Sequence, residues 1–265
     1  MTMNSRLRLR ISPCPNDTFM FDALLNGRVD TCGLSFEADF GDIEELNRGV
    51  LAPGGPDISK ISYAVLPAVA DRYALLDSGS AIGRGNGQLL VRRRGDRGPI
   101  RRVAVPGELT TADAMLRRFF PEIVDRTPVL FSEIAAAVER GDFDAGVLIH
   151  EGRFTYRRHE LELVADLGAL WERQTGLPLP LGAIVASRAL PDEVRRTFDA
   201  VLRSSVEHAF AHPESSRAFV REHARELDDE VIDRHIALFV NRYSLSLGEE
   251  GRRAVRELTG LSRLD

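Results

Sequence analysis

No apolar run in this sequence approaches the roughly 18 residues that a membrane-spanning helix needs, and the basic stretch Met1 to Arg10 leads into no apolar leader core. The expectation is a cytoplasmic protein with no membrane partner. Cysteine is scarce: Cys14 and Cys32 are the only two, and their spacing fits neither a metal-ligand set nor a disulfide framework. No metal is called for, and a reducing compartment would keep both as thiols. An excess of positive charge is missing as well. Lys+Arg 35 against Asp+Glu 40 leaves −5, with the arginines scattered along helices rather than gathered in a stripe, which argues against a nucleic-acid partner. Lysine itself is nearly absent, since Lys60 is the one lysine in the chain. It is either kept for a compact ammonium where a guanidinium would not serve, or left over from drift toward arginine.

What is present is apolar residue enough, 43%, to bury a core over 265 residues, a length that suits two lobes of about 100 to 150 residues or one large domain. In chain order, Arg6 to Ile11 alternates polar and apolar as a half-buried strand does. Ser12-Pro-Cys-Pro-Asn-Asp-Thr18 follows, with Asn16 or Asp17 able to cap a helix from Thr18 to Asn26 that Gly27 closes. Asp42 to Arg48 reads as a short polar helix, Asp57 to Ser62 as a strand whose last serine caps the next helix, and Tyr73 to Ile82 as a strand. The glycines of Gly83-Arg-Gly-Asn-Gly87 open no helix, so this is flexible backbone rather than a phosphate loop, ahead of a strand from Gln88 to Arg92. Arg102 to Val105 is a buried strand, and Thr110 or Thr111 caps a helix from Ala112 to Phe120. Val164 to Gly168 resembles a strand, Leu170 to Gly182 a loop holding the lone Trp171, and Ala183 to Ser187 an apolar strand. Four helices end the chain: Pro191 to His212, Pro213 to Glu226, Asp228 to Asn241 and Glu249 to Leu261.

The stretch Asp142 to Tyr156 organises the rest. Ser132 to Arg140 reads as a helix stopped by Gly141, and Ala145 to Ile149 as a fully buried strand of a parallel sheet. His150 then stands at the carboxyl end of that strand, where open α/β sheets bind ligands, and is a candidate acid or base. Position alone leaves open a histidine that only caps the strand. Glu151, if the strand continues, points to the opposite face. The turns before the helices at Asn16–Asp17 and at Thr110–Thr111 each offer unpaired N–H groups and a positive dipole end, which suits an anionic or hydroxyl-rich small molecule.

Five segments together resemble one family: Ser12-Pro-Cys-Pro-Asn-Asp-Thr-Phe19, Ser59-Lys-Ile-Ser62, Thr110-Thr-Ala112, Leu148-Ile-His-Glu-Gly-Arg-Phe-Thr-Tyr156 and Trp171 to Gly182. The pattern is similar to the 1,4-dihydroxy-6-naphthoate synthases, the MqnD family of the futalosine route to menaquinone. The resemblance implies an α/β, two-lobed type II periplasmic-binding-protein-like fold with a ligand cleft between the lobes. Residues 1–88 with 183–265 would form the first lobe and 89–182 the second, with crossings near Leu89-Leu90 and Pro180–Gly182. It further implies cleavage of cyclic dehypoxanthine futalosine to 1,4-dihydroxy-6-naphthoate and dihydroxyacetone without metal or organic cofactor. His150 would be the general base. Lys60, Ile61, Ser62, Thr110, Thr111 and Ala112 would contact the substrate, joined by Asn16, Asp17 and Arg153. The resemblance leads one to expect proline where Gln88 stands. A chorismate dehydratase of the same pathway, or a solute-binding protein of the same fold, remain alternatives; the oligomeric state is not readable.

Overall fold

The computed structural model describes residues 6–224 and 228–264. Strand β1 (Arg6–Ile11) buries Leu7, Leu9 and Ile11 and turns its arginines outward, as the alternation predicts. Helix α1 (Pro15–Leu25) starts earlier than its prolines suggested, because a proline at the first helical position lacks only an N–H that would be unpaired anyway. Cys14 is the cap position and no side chain caps this end; Asn16 and Asp17 lie inside the first turn, committed elsewhere. The edge strand β2 (Ser35–Phe40) runs parallel to β1 and went unread, although Phe36, Ala38 and Phe40 alternate with polar residues and both phenylalanines pack, partly buried, against the core. Helix α2 (Ile43–Leu51) is capped reciprocally by Asp42 and Glu45. Strand β3 (Ile58–Ser62), buried throughout, pairs parallel to β1 and leads into the short helix α3 (Leu66–Val69).

The single strand expected over residues 73–82 is two, β4 (Tyr73–Leu75) and β5 (Ala81–Gly83). Between them the Asp199 carboxylate accepts from the Ser78 N–H at 2.9 Å and Gly79 adopts φ +81°, which turns the chain. The second sheet holds β6 (Leu89–Arg93), β7 (Arg102–Val105), β8 (Asp125–Pro128), β9 (Ala145–Leu148) and β10 (Leu161–Asp166) in the order β10-β6-β9-β7-β8. It is mixed rather than parallel: β9 runs parallel to β7 but antiparallel to β6. Helix α4 (Thr111–Phe119) follows β7, and α5 (Ile134–Arg140) precedes β9. The latter begins two residues after Ser132, without a side-chain cap, and ends at Gly141 in the left-handed region.

After β9 come the short α6 (Gly152–Thr155) and, past β10, α7 (Leu167–Thr175). The segment read as a Trp-containing loop is α7 plus the start of β11 (Leu179–Ser187). Asp166 caps α7 by accepting from Ala169, and the buried Trp171 indole donates to the Pro178 carbonyl at 3.1 Å. Pro180 is tolerated in β11 because it sits at an irregularity in the pairing with β5. Strand β11 lies antiparallel between β3 and β4, completing the order β2-β1-β3-β11-β4 with β5 on the remaining length of β11. The chain therefore returns to the first sheet ahead of Leu179, earlier than residue 183. Just before β6, Gly87 meets Gly168 in the first turn of α7 so closely that a Cβ on Gly87 would lie 2.3 Å from the Gly168 Cα.

The C-terminal helices are α8 (Asp192–Ala211), α9 (Arg217–His223), α10 (Asp229–Phe239), α11 (Arg242–Leu245) and α12 (Gly248–Thr259). Of the helix expected over residues 213–226, the described part is a 3-10 turn followed by α9, and residues 225 and 226 lie outside the described residues. One core packs α1 and α8 on the first sheet through Phe19, Phe21, Phe198 and Leu202; another joins Val103, Met115, Val147 and Trp171 in the second. Among the described residues no helix is long and apolar enough to cross a membrane.

Candidate functional site

A cavity lies between the two sheets, lined by residues of both. Its floor begins in the Ser12–Thr18 turn. Asp17 is wholly buried and takes four hydrogen bonds: the Ser12 N–H at 3.2 Å and hydroxyl at 2.8 Å on Oδ2, and Asn16 Nδ2 at 2.8 Å and Lys60 Nζ at 2.5 Å on Oδ1. The single lysine of the chain is thus half of a buried ion pair, and stripping one partner from such a pair costs about 3–5 kcal/mol. Lys60 also lines the cavity, and room for it depends on Gly182, where a Cβ would come within 2.6 Å of Lys60 Cε.

Strand periodicity then divides the expected Lys60–Ser62 contact set. Lys60 and Ser62 face the cavity, while Ile61 turns to the other side and packs with Val50, Tyr63 and Val65, so its side chain is not brought to the site. Ser62 does not cap the next turn; its hydroxyl accepts from Asn47 Nδ2 at 3.0 Å and its N–H donates to Asn47 Oδ1 at 2.8 Å. Across the cavity the Thr110 hydroxyl caps α4 by accepting from the Asp113 N–H at 3.2 Å. Thr111 and Ala112, the first two helical residues, have N–H groups for which helix geometry supplies no i−4 carbonyl. All three line the cavity. The Thr111 hydroxyl donates to the Leu181 carbonyl at 2.9 Å, which docks this helix end on β11. Arg153 lines the wall with its guanidinium engaged by Gly87 O at 2.6 Å and Asp166 Oδ2 at 2.7 Å. It buttresses the crossing as well as facing the ligand space.

His150 stands where the strand was expected to deliver it, beyond β9 and on the cavity wall. The strand does not persist. His150 takes φ +51°, a left-handed conformation that costs a non-glycine residue about 1–2 kcal/mol, and the next residues turn into α6. The reading that put Glu151 on an opposite strand face therefore does not apply. The imidazole is half-buried, with the Phe131 ring edge-on at 5.1 Å and the His235 ring stacked at 5.8 Å. Burial pushes its pKa down to about 4; the Asp17 charge opposes that shift and the Lys60 charge adds to it. At ordinary pH the imidazole is neutral.

Sequence reasoning missed Asn47 and His235. Asn47 gave no local signal. His235 did, because Val231, Ile232, His235 and Phe239 form the buried stripe of α10, and a histidine on such a stripe needs a partner. That partner is Asn16, whose Oδ1 lies 3.0 Å from His235 Nε2. The Cys14 thiol, buried in the same turn, is pushed up by burial and then by the Glu151 charge, so it is no nucleophile.

A family model described as menaquinone biosynthesis matches residues 7–263. A 1,4-dihydroxy-6-naphtoate synthase of Thermus thermophilus is 48% identical over 257 residues, covering 95% of this chain and 92% of the relative. Its counterpart of the same name in Streptomyces coelicolor is 47% identical over 261 residues, covering 95% and 91%. Among solved structures, an Archaeoglobus fulgidus protein superposes with a TM-score of 0.88 at 34% identity, covering 96% of this chain and 95% of that one. A Candida albicans protein with the generic periplasmic binding protein fold gives 0.70 at 11% identity, covering 98% and 92%, and speaks to fold alone.

Proposed function

This chain belongs to the menaquinone-biosynthesis family, among proteins named for 1,4-dihydroxy-6-naphthoate synthesis, and on that premise we propose that it is the carbon–carbon lyase that splits cyclic dehypoxanthine futalosine. The products are 1,4-dihydroxy-6-naphthoate and dihydroxyacetone. The observation that carries the reading is His150, an imidazole kept neutral at the edge of a cavity whose other walls supply a helix N-terminus and a buried ammonium.

In this reading the substrate carboxylate meets the N–H groups of Thr111 and Ala112, which the α4 dipole reinforces. His150 takes the proton of a substrate hydroxyl. The oxygen's electron pair forms a carbonyl, the adjoining carbon–carbon bond breaks, and its electrons pass into the ring ketone as an enolate. Protonation of that oxygen leaves the aromatic ring, whose stabilisation drives the step, and the imidazolium returns its proton to complete the balance. Lys60, fixed by Asp17, offers its other N–H bonds toward the cavity for a developing oxyanion. The reading includes a cytoplasmic enzyme acting on an anionic small molecule, with neither membrane nor nucleic acid as partner. Incubation with the cyclic futalosine derivative should release a naphthoate followed by ultraviolet absorbance. Turnover of chorismate instead would point to the dehydratase, and binding of either without turnover to a solute-binding protein.

A further inference from the structure

The reaction just described leaves a second histidine of the site unused. His235 is shielded from solvent on the buried face of α10, and its ring stacks on that of His150 with planes 20° from parallel. Phe131 meets His150 edge-on. The base is therefore held between two rings, which accounts for a backbone conformation that a non-glycine residue keeps only when its packing over-determines it.

His235 is anchored in turn. Asn16 Nδ2 donates to Asp17, so Asn16 Oδ1 is an acceptor and His235 Nε2 carries the hydrogen that reaches it at 3.0 Å. Its Nδ1 is then a bare nitrogen, buried and without a hydrogen-bond partner. The ring lies 4.6 Å from that of Phe239. A proton added to Nδ1 would be an unsolvated charge in the field of Lys60 and, during the reaction, of a His150 imidazolium. The charged groups facing His150 are Asp17 from α1 and Lys60 from β3; Glu151 and Arg153 follow it in the chain, the latter paired with Asp166. Asp17 favours the imidazolium and Lys60 opposes it, so a charged His235 would turn the balance against the base.

We propose that His235 is the positioning residue for the base: a buried plate, tethered through Asn16 to the Asp17–Lys60 pair and with no partner for a proton at Nδ1, that fixes the His150 ring over the cavity and keeps a second positive charge away from the imidazolium. The inference rests on His150 as the base. His235→Leu removes plate and tether at similar volume, whereas His235→Phe restores the plate alone. In the leucine variant kcat should fall about 10- to 100-fold, the range expected when a catalytic group is misplaced by about an ångström. KM and product affinity should hold, and the acid limb of kcat/KM should rise toward the ordinary histidine range. The phenylalanine variant should recover most of both. Nitrogen-15 NMR of histidine-labelled wild-type protein should show His235 in the Nε2–H form wherever the enzyme is active, a result that does not depend on any variant folding. Normal kcat in a folded leucine variant, equal loss in both variants, loss with an unmoved acid limb, or a protonated or Nδ1–H His235 would each overturn the proposal. If His150→Gln were fully active the base assignment itself would fall. An inactive His150→Gln beside an unimpaired His235→Leu would remove only this inference.

Discussion

A histidine that stays neutral down to about pH 4 changes what the acid side of the activity profile should look like. From the ordinary imidazole value of about 6.5 the sequence suggests a fall in rate just below neutrality. The half-buried ring moves that fall well below it, which a kcat/KM profile taken over acidic buffers will show. His150→Gln should lose about 10²- to 10⁴-fold in kcat while melting temperature and product affinity change little. A purely structural histidine would give the reverse, a lowered melting temperature with the folded fraction fully active. The same burial has a cost in acid. His150 and His235 both titrate below the unfolded value, so between about pH 6.5 and 4 the unfolded chain binds protons that the folded one refuses. Stability is intact above that window and drains as pH falls through it. Melting curves against pH should therefore be steep on the acid side, and flatter in His235→Phe, which lacks one of the two groups.

At the level of the element, the first turn of α4 and the glycine of β11 make separable contributions. Thr111→Pro is compatible with the first helical position but deletes an N–H donor along with the hydroxyl, whereas Thr111→Val deletes the hydroxyl alone. A charge-assisted hydrogen bond of about 1.5–3 kcal/mol corresponds to a KM raised about 10- to 100-fold in the proline variant beyond that of the valine variant. Titration with a substrate analogue lacking the carboxylate checks the assignment, since it should bind both variants alike. Gly182→Ala drives a methyl into Lys60 Cε and against the carbonyl of Ile61 3.2 Å away. The end of the lysine must then shift; displaced from Asp17, it would leave the variant about 3 kcal/mol or more less stable, with a lower melting temperature and lost activity. A melting temperature equal to the wild type would show that Lys60 has another place to go.

Over the whole molecule the site exists only where the sheets meet. Lys60 and Ser62 come from β3 of the first sheet, His150 and the α4 N-terminus from the second. Residues 150–158 also grip α10 and its cap: His150 on His235, Phe154 under the Arg234 guanidinium at 4.7 Å, and Arg158 on Asp228 at 2.8 Å. These contacts bridge residues 150–158 and α10, so saturating product should hold the protein in this closed form. Small-angle scattering should register a fall in the radius of gyration toward the roughly 18 Å of a compact chain of this length. An unchanged radius would mean a rigid, preformed cleft.

What the sequence by itself determined was local and periodic. The alternation of Arg6–Ile11, the glycine stop at Gly141 and the apolar run before His150 placed strands, helix ends and His150 itself, because each depends on neighbours within a few residues. Segment matches carried the family and the two-lobed fold. Tertiary structure alone decided the rest. Trp171 and Pro180 read as a loop until the burial of one and the irregular pairing of the other made a helix and a strand of that segment. Only the sheet register sent Ile61 into the core while Lys60 met Asp17, 43 residues away. The pairing of Asn16 with His235, 219 residues apart, has no local signature at all. A buried polar group takes whichever partner the fold brings within about 3 Å, and no short-range pattern encodes which one that will be.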